Sequence, residues 1–428
     1  MPFSPNNYYN SESFRRTMQF ALCLCILVLC AGVQADHHKD HEDISQHYHD
    51  DADDDHNDVT CQKIVSVNCD FTFRIYQELL ASSSSNILFS PVGIFTALSM
   101  LALGAKDETN IEIIETLGFN YSQHTDKEIH RCTQYMIQKL TEPISDLKLE
   151  MSNALFVSKE YKLLSVYMEE MHKYKADEFT TDFSNTVEAT KQINEYVTEK
   201  IHGITGDIVS DLDPRTVILL VNCLFLQAQW EHTFNPDLTR EGNFHVDENT
   251  DVKVPMMFQI GMLDIYNDDE LNCTVVRLPY KGNASVLLVL PGIKNMKEVE
   301  AALTQSTIKK WKSKLYKTNV ALKFPKFILP SSLDLKPILM KMGMKKVFTD
   351  GADLTGLTGQ PDLKVSTALH KAMIDVNETG TMAAAVTVVQ IMPISVPRSV
   401  GFDHPFIMLI FDHKGTCLFM GKIVNPTE

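Results

Sequence analysis

The sequence lacks the short motifs by which many enzymes are recognised. Its 428 residues contain no glycine-rich phosphate-binding loop and no Gly-x-Ser-x-Gly turn that would present a nucleophilic serine. The only pair of histidines at His-x-x-x-His spacing, His37 and His41, lies in a strongly polar N-terminal segment rather than in a predicted core helix. These absences disfavour an enzyme, and the sequence indicates no cofactor.

Positive charge and long apolar runs are also scarce. The chain has 39 lysines and arginines against 55 aspartates and glutamates, which gives a net charge of −16. Such a surface disfavours nucleic acid or an anionic membrane as the main partner. After residue 35, no apolar run approaches the roughly 20 residues that a membrane-spanning helix needs.

The one strongly apolar run lies near the N-terminus and is organised like a secretory signal. Arg15-Arg16 precedes an apolar stretch at 20–31, and Val33-Gln34-Ala35 fits a small-residue cleavage site. We therefore expect residues 1–35 to be a signal peptide and the protein to be secreted and extracellular. Met18 is an alternative start that would leave a very short basic region.

Residues 36–58 form an acidic, histidine-rich segment with almost no apolar side chains. Because such a composition buries too little apolar surface to fold, we expect a disordered tail before a single domain over residues 59–428. A solvated tail, loose zinc or copper binding, and docking on a basic protein surface near Tyr48 all fit this composition. We predict no metal centre, and the weak candidates for metal binding are His37, His38, His41, His47, His49 and His56.

Six of the nine cysteines follow the predicted signal peptide, and none has zinc-site spacing. Secretion permits disulfides, but the connectivity stays open at this point. Apolar periodicity predicts mainly helices in the first half, at 71–80, 91–104, 109–117, 128–140, 166–174 and 187–201. From Val217 the pattern changes to strands, at 217–225, 251–266, 273–279, 284–290, 319–326 and 405–411, interrupted by short helices. This order predicts one α+β domain.

The segment from Glu378 to Ser399 combines two incompatible patterns. It opens on the flexible Gly380, continues through small and β-branched residues, and ends in a stretch with two prolines that cannot pair as a regular strand. Half of the segment is typical of a buried strand and half of an exposed loop. Because local consistency tends to fail at functional sites, we expect the function here.

Several motifs in the order found here resemble the serpin family, in its antitrypsin-like branch, from about Val59 to Glu428. They include Asn86-Ile87-Leu88-Phe89-Ser90-Pro91, Lys253-Val254-Pro255-Met256-Met257, His370-Lys371-Ala372, Phe402-Asp403-His404-Pro405-Phe406 and Leu418-Phe419-Met420-Gly421-Lys422. The resemblance implies an α+β fold with three β-sheets, about nine helices and an exposed reactive-centre loop at 378–399. It also implies a secreted, monomeric serine protease inhibitor that is not itself an enzyme.

The resemblance further implies a mechanism and the residues that serve it. A target protease attacks the loop as a substrate, and the cut loop then inserts as a new strand in the central sheet and traps the acyl-enzyme. The hinge would be Glu378, Gly380, Thr381, Ala383, Ala384 and Ala385. Ser90, Asn222 and His370 look like the hydrogen-bonded shutter that controls sheet opening, and Trp230 resembles the tryptophan at which entry begins. Gly93 departs from the family, which usually has serine there.

Family spacing puts the reactive bond at Ile394-Ser395, and the apolar, β-branched Ile394 suits an elastase-like protease better than a trypsin-like one. A cut after Met392 would place Pro393 on the leaving side, which most serine proteases reject. Arg398-Ser399 is a rival site for a thrombin- or trypsin-like protease, and chymotrypsin-like targets stay open. A non-inhibitory hormone carrier is a further alternative.

Other partners and modifications can be predicted more briefly. The segment at 128–140 resembles the heparin-binding helix of some serpins, but its basic residues alternate with acidic and apolar ones, so heparin is not expected as a partner. Asn-x-Ser/Thr sequences predict surface glycosylation at Asn120, Asn272, Asn283 and Asn377.

Overall fold

The computed structural model describes residues 43–120, 122, 124–142, 146–203, 207–361, 363–381 and 396–428, with side chains from residue 61 onward. The predicted signal peptide, three tail histidines and most of the reactive-centre loop lie outside the described residues: His37, His38, His41, Ala383, Ala384, Ala385, Ile394 and Ser395. The side chains of His47, His49 and His56 do likewise. The chain separates into two compact units, Met1–Val59 and Thr60–Glu428.

The first helix, α1, runs from Asp43 to Ser82. It begins inside the acidic segment for which we expected disorder, so the structure differs from that expectation over residues 43–58. The physical reason is that adding a residue to an existing helix costs far less than forming the first turn. Further along α1, Phe71, Ile75 and Tyr76 are fully buried, and this part is the helix predicted at 71–80.

Nine further α-helices lie in the described part of the chain, and none of its helices is long and apolar enough to cross a membrane. They are α2 (Pro91–Ala102), α3 (Asp107–Leu117), α4 (Asp126–Thr141), α5 (Ser165–His172), α6 (Thr186–Lys200), α7 (Met296–Ala302), α8 (Gln305–Lys314), α9 (Lys336–Lys341) and α10 (Thr355–Thr358). Two short 3-10 helices lie at Pro236–Leu238 and Lys346–Phe348.

Fifteen strands complete the described fold. They are β1 (Ile87–Phe89), β2 (Leu147–Ser158), β3 (Ala176–Thr181), β4 (Ile218–Gln229), β5 (Arg240–His245), β6 (Asp251–Asp268), β7 (Cys273–Pro279), β8 (Ser285–Pro291), β9 (Tyr316–Pro325), β10 (Phe327–Asp334), β11 (Val365–Asn377), β12 (Gly380–Thr381), β13 (Arg398–Gly401), β14 (Phe406–Phe411) and β15 (Cys417–Ile423). The mixture of helices and strands confirms the α+β class.

The strands form two hydrogen-bonded networks. One has nine strands in the order β1-β15-β14-β8-β7-β6-β9-β13, with β5 also paired to β6. The other, called the central sheet below, has six strands in the order β10-β11-β12-β4-β2-β3. Strand β6 is 18 residues long and pairs with β5, β7 and β9. Two of the three sheets implied by the family resemblance therefore share β6 and form one network.

Strand β4 is buried on both of its faces, as its almost uniformly apolar sequence predicts. Leu220 and Leu224 pack into the main core, whereas Leu219, Val221 and Cys223 pack into a second apolar cluster that also contains residues of α6. Successive side chains of a strand point to opposite faces, so these two sets must lie on opposite sides of the central sheet. A strand inserted beside β4 would meet apolar surroundings on both sides.

One disulfide joins two helices of the folded body. Cys61 of α1 is bonded to Cys132 of α4, 71 residues later in the chain. The other cysteines with described side chains, Cys69, Cys223, Cys273 and Cys417, are free and buried. The sequence permitted a disulfide but gave no basis for this pairing.

Candidate functional site

The start of the predicted loop lies between two strands of the central sheet. Strands β4 and β11 are parallel neighbours from the Ile218–Val365 pair to the Phe225–Met373 pair. Beyond that point they separate, and β12 enters between them, antiparallel to both. We call the boundary between β4 and β11 the seam. The structure therefore places Gly380 and Thr381 in strand geometry at the open end of the seam.

Gly380 is in a position that no other residue could occupy without movement. Its φ angle is +150°, and a Cβ atom built on it would lie 2.0 Å from the carbonyl oxygen of Ala228 and 2.7 Å from the Cα of Gln229. Glycine has no Cβ, so it tolerates both the backbone angle and the close approach. The flexible residue predicted at the hinge is thus required by contact with β4.

Trp230 holds the turn that leads into β12. Its indole Nε1 donates to the carbonyl oxygen of Asn377 (2.9 Å), and its backbone N–H donates to the carbonyl oxygen of Thr379 (3.0 Å). The ring is buried and stacks on Tyr280 with the centroids 4.4 Å apart. The hydroxyl of Tyr280 in turn lies 3.0 Å from that of Thr381. Trp230 and Tyr280 therefore both contact the start of the loop, and Tyr280 was not indicated by the sequence.

Glu378 is fixed from both its side chain and its backbone. The carboxylate accepts hydrogen bonds from Lys326 Nζ (2.9 Å) and Thr239 Oγ1 (2.8 Å), and the backbone carbonyl accepts one from Phe234 N–H (2.8 Å). Burial by itself raises the pKa of this carboxyl, but the bonds from Lys326 and Thr239 outweigh it and hold the pKa below its usual value. Glu378 is therefore a charged anchor at the base of the loop.

Ser90, Asn222 and His370 are brought together by hydrogen bonds at the seam. His370 Nε2 accepts from the backbone N–H of Ser90 (2.9 Å), so its Nδ1–H donates to Asn222 Oδ1 (2.7 Å). All three residues are fully buried. Because Asn222 of β4 and His370 of β11 are direct cross-strand partners, this bond spans the seam. It has to break before a strand can enter there.

Asn153 of β2 extends this cluster, although the sequence did not single it out. Its Oδ1 accepts from Asn222 Nδ2 (2.8 Å), which fixes the side chain that also receives His370. Gly93 completes the packing. A Cβ at Gly93 would lie 2.6 Å from Asn222 Oδ1, so this glycine leaves room for the bond between Asn222 and His370. The departure from the serine that is usual in the family thus gives Asn222 space that a side chain at position 93 would fill.

The buried histidines give a testable dependence of stability on pH. Burial lowers the pKa of His370 from 6.5 to about 3 and that of His130 from 6.5 to about 4. Between pH 6.5 and pH 5 these two histidines therefore bind more protons in the unfolded chain than in the folded protein. The stability that each neutral, buried histidine contributes is complete above pH 6.5 and decreases as the pH falls. Each histidine should reduce stability by up to about 1.4 kcal/mol per pH unit in that window.

The measurement is the midpoint of thermal unfolding at pH values from 7.5 to 5. We expect His370→Gln to lower the midpoint at pH 7.5 and also to flatten its decline toward pH 5, because glutamine takes up no proton. The exposed variant Val187→Ala, which leaves every histidine in place, serves as the control and should keep the full slope. If the unfolding midpoint of His370→Gln declined with pH as steeply as that of the wild type, the lowered pKa of His370 would be contradicted.

The predicted glycosylation sites differ in exposure. Asn120, Asn272 and Asn283 are exposed, whereas Asn377 is half-buried. The Oδ1 of Asn377 accepts from both the backbone N–H (3.0 Å) and the hydroxyl (2.7 Å) of Thr379. Glycosylation at the three exposed positions stays a prediction, and at Asn377 a glycan would have to coexist with these bonds beside the hinge.

The rival cleavage site at Arg398 lies in regular structure. Arg398 and Ser399 are strand residues of β13, in register with Val320 and Ala321 of β9. The guanidinium of Arg398 also donates to Asn267 Oδ1 (2.7 Å). The peptide bond between Arg398 and Ser399 is therefore part of a paired strand, whereas Val396, two residues before Arg398, is exposed.

Comparison with known proteins agrees with this architecture. The family model described as Serpin (serine protease inhibitor) matches residues 66–426. Alpha-1-antiproteinase of Rattus norvegicus is 40% identical over 372 residues, which cover 86% of this chain and 90% of the relative. Alpha-1-antitrypsin of Sus scrofa is 38% identical over 409 residues, which cover 95% of this chain and 96% of the relative. Human thyroxine-binding globulin, solved in complex with thyroxine, superposes with a TM-score of 0.83 at 39% identity and covers 86% of this chain and 100% of its own. The chain therefore belongs to the serpin family of serine protease inhibitors, in its antitrypsin-like branch.

Proposed function

We propose that this protein is a secreted inhibitor that traps serine proteases as a suicide substrate. The observation that carries the proposal is the position of β12, where Gly380 and Thr381 already pair with both β4 and β11. Because the first residues of the loop are already paired at the open end of the seam, the cut loop can insert by extending β12 residue by residue. Only the strands ahead of it have to separate.

The proposed reaction begins as ordinary proteolysis. The protease serine oxygen attacks the carbonyl carbon of Ile394, the bond from that carbon to the nitrogen of Ser395 breaks, and Ser395 leaves with a proton on its new amine. An ester now joins the protease to Ile394. The cut loop then extends from Thr381 along the seam and carries the protease with it before water can hydrolyse the ester.

The inserting segment suits the surroundings that it would meet. From Thr381 its side chains alternate between the two faces of the central sheet, and nearly all are small or apolar. Both faces beside β4 are apolar clusters, so insertion buries further apolar surface. The main side-chain obstacle is the bond between His370 and Asn222. The backbone pairs between β4 and β11 also have to separate, but an inserted strand replaces them with pairs along both of its edges. Its pairing and burial therefore outweigh the one side-chain bond that is lost.

Elastase-like proteases are the proposed targets because Ile394 is apolar and β-branched. Cleavage at Arg398 is disfavoured, since β13 would have to leave β9 before a protease could bind residues 396–401 as an extended substrate. We infer that the pairing of β13 with β9 hinders a thrombin- or trypsin-like protease from binding Arg398 as a substrate residue.

The test combines covalent-complex formation with thermal unfolding. Incubation with an elastase should give a complex that survives denaturing electrophoresis, and the new N-terminus of the released peptide should be Ser395. A non-target protease that cuts within residues 382–395 should raise the unfolding midpoint strongly, because the inserted strand completes the sheet. A stable complex with thrombin alone would contradict the assignment of Ile394.

A hormone carrier is the second candidate, favoured by the likeness to thyroxine-binding globulin. The two candidates differ in the response to loop cleavage and in ligand binding. A carrier without insertion would show no rise of the unfolding midpoint but would quench the fluorescence of Trp230 or Trp311 when thyroxine is added. An inhibitor without a carrier role would show the opposite pair of results.

A further inference from the structure

Two of the contacts that attach helix α4 to the rest of the body lie close together on the helix. The disulfide from Cys132 fixes it to Cys61 of α1. Two residues away, His130 Nδ1 shares a hydrogen bond of 2.7 Å with the hydroxyl of Tyr174, and the two rings meet edge to face with centroids 6.2 Å apart. Tyr174 is fully buried at the turn that precedes β3. The position of α4 thus sets one hydrogen-bond partner of this tyrosine.

Tyr174 leads in turn to the seam. Its backbone carbonyl accepts a hydrogen bond from Asn153 Nδ2 (3.0 Å), and Asn153 Oδ1 accepts from Asn222 Nδ2 (2.8 Å). Asn222 then receives the proton of His370 across the seam (2.7 Å). A continuous series of bonds therefore runs from α4 through β2 and β4 to β11. Asn153, Asn222 and His370 have no exposed surface, so water cannot replace a lost partner.

We propose that His130 and Tyr174 are positioning residues for the bond across the seam, and that the Cys61–Cys132 disulfide makes this control sensitive to reduction. The proposal rests on the proposed function, because it concerns how readily the seam opens for the loop. With α4 fixed, Tyr174 holds Asn153, and Asn153 holds the side chain of Asn222 toward His370. With α4 released, this series loses its outer support and the seam opens more readily.

The arrangement favours such coupling over a purely local role for the disulfide. The side chains of Asn153 and Asn222 each have one partner on either side, and Tyr174 is held at its hydroxyl by His130 and at its backbone carbonyl by Asn153, so a shift at one bond changes the geometry of the next. The four free cysteines with described side chains are buried and lie outside this series. The redox-active pair is therefore the disulfide itself. Couplings between distant sites are typically worth a change of about fivefold or more in an equilibrium.

The redox step is a thiol–disulfide exchange with a dithiol such as dithiothreitol. One thiolate of the reductant attacks a sulfur of the disulfide, and its second thiol displaces the other cysteine. The disulfide gains two electrons and two protons and becomes the thiols of Cys61 and Cys132, while the reductant is oxidised to its cyclic disulfide. No further reactant is needed.

The experiment measures how fast the central sheet takes up a synthetic peptide with the sequence of residues 379–391. Oxidised and reduced full-length protein are compared, and uptake is followed by the appearance of the high-melting complex. We expect the reduced protein to take up the peptide at least about fivefold faster. The double variant Cys61→Ser/Cys132→Ser should match the reduced protein and should not respond to dithiothreitol. Equal rates for oxidised and reduced protein would overturn the proposal.

Substitutions within the series separate positioning from packing. His130→Phe and Tyr174→Phe both remove the shared bond and keep the rings, so each should accelerate uptake in the oxidised protein. The double variant should be no faster than either single one, because the same bond is lost once. Gln134→Ala is the matched control on α4, since its side chain contacts Glu170 rather than this series. Additive effects, or no effect of either single variant, would overturn the role of the bond.

Failure of this inference can be distinguished from failure of the proposed function. If peptide is taken up at rates that do not depend on the disulfide or on His130, the coupling is wrong and loop insertion stands. If no form takes up peptide and loop cleavage leaves the unfolding midpoint unchanged, both the proposed mechanism and the coupling are wrong.

Discussion

Replacing Gly380 by valine should convert the inhibitor into a substrate. A side chain at this position would collide with the backbone of Ala228 and Gln229, and valine also disfavours the positive φ angle. Valine would therefore keep β12 out of the open end of the seam, and restoring that pairing before the loop can insert costs up to about 3 kcal/mol, which corresponds to insertion that is slower by about 100-fold. The protease would then hydrolyse the ester before the loop could move. We expect many inhibitor molecules to be consumed for each protease molecule inactivated.

The measurement is the molar ratio of inhibitor to elastase at which activity disappears, together with the yields of covalent complex and of cleaved inhibitor. Gly261→Val is the matched control, because Gly261 lies in β6 with no atom within 4 Å of its Cβ position. Its ratio should stay at the wild-type value. A wild-type ratio for Gly380→Val would show that the hinge need not pass close to β4.

The relation between sequence and fold is clearest at strands that are apolar throughout. Strand β4 was predicted because its run of apolar residues reflects burial on both faces. Strand β11, its parallel neighbour, was not predicted as a strand. It contains His370 and Lys371, which look unsuited to a central strand until their partners are known. His370 bonds to Asn222 and Lys371 to Ser332 Oγ (2.8 Å), and both partners are remote in sequence.

The ends of helices depend on local side chains that apolar periodicity does not detect. Apolar periodicity predicted the helix at 128–140, whereas α4 spans Asp126–Thr141. The start is set by Thr125 and Glu128, whose side chains bond reciprocally to each other's backbone N–H. This capping pattern is visible in the sequence and could have placed the boundary, since it needs no tertiary information.

The candidate site divides in a similar way. Glu378, Gly380 and Trp230 could be named from the sequence because the family resemblance assigns them roles. Tyr280 and Asn153 could not, since each acts through a contact between elements that are far apart in the chain. The pairing of Cys61 with Cys132 was hidden for the same reason: it depends on where α1 and α4 meet.

Replacing Ile394 by arginine should transfer inhibition from elastase-like to trypsin-like proteases. The side chain at the reactive bond enters the primary pocket of the protease, which is acidic in trypsin and shallow and apolar in elastase. The arginine charge would have no partner in the pocket of elastase and an acidic partner in the pocket of trypsin. We therefore expect the rate constant for elastase to fall, and that for trypsin to rise, by about a thousandfold or more. The second-order rate constants for inactivation of elastase and trypsin are the quantities to compare.

Arg398→Ala is the matched control and should leave inhibition of elastase unchanged. A cut at Arg398 would lengthen the inserting segment by four residues, about 13 Å at 3.3 Å per residue, and the protease would be distorted too late. The strand pairing of Arg398 and Ser399 with β9 acts in the same direction, because the protease must first detach them. Loss of elastase inhibition in Arg398→Ala, with no change in Ile394→Arg, would move the reactive bond to β13. The opposite result would support the assignment of the reactive bond to Ile394-Ser395.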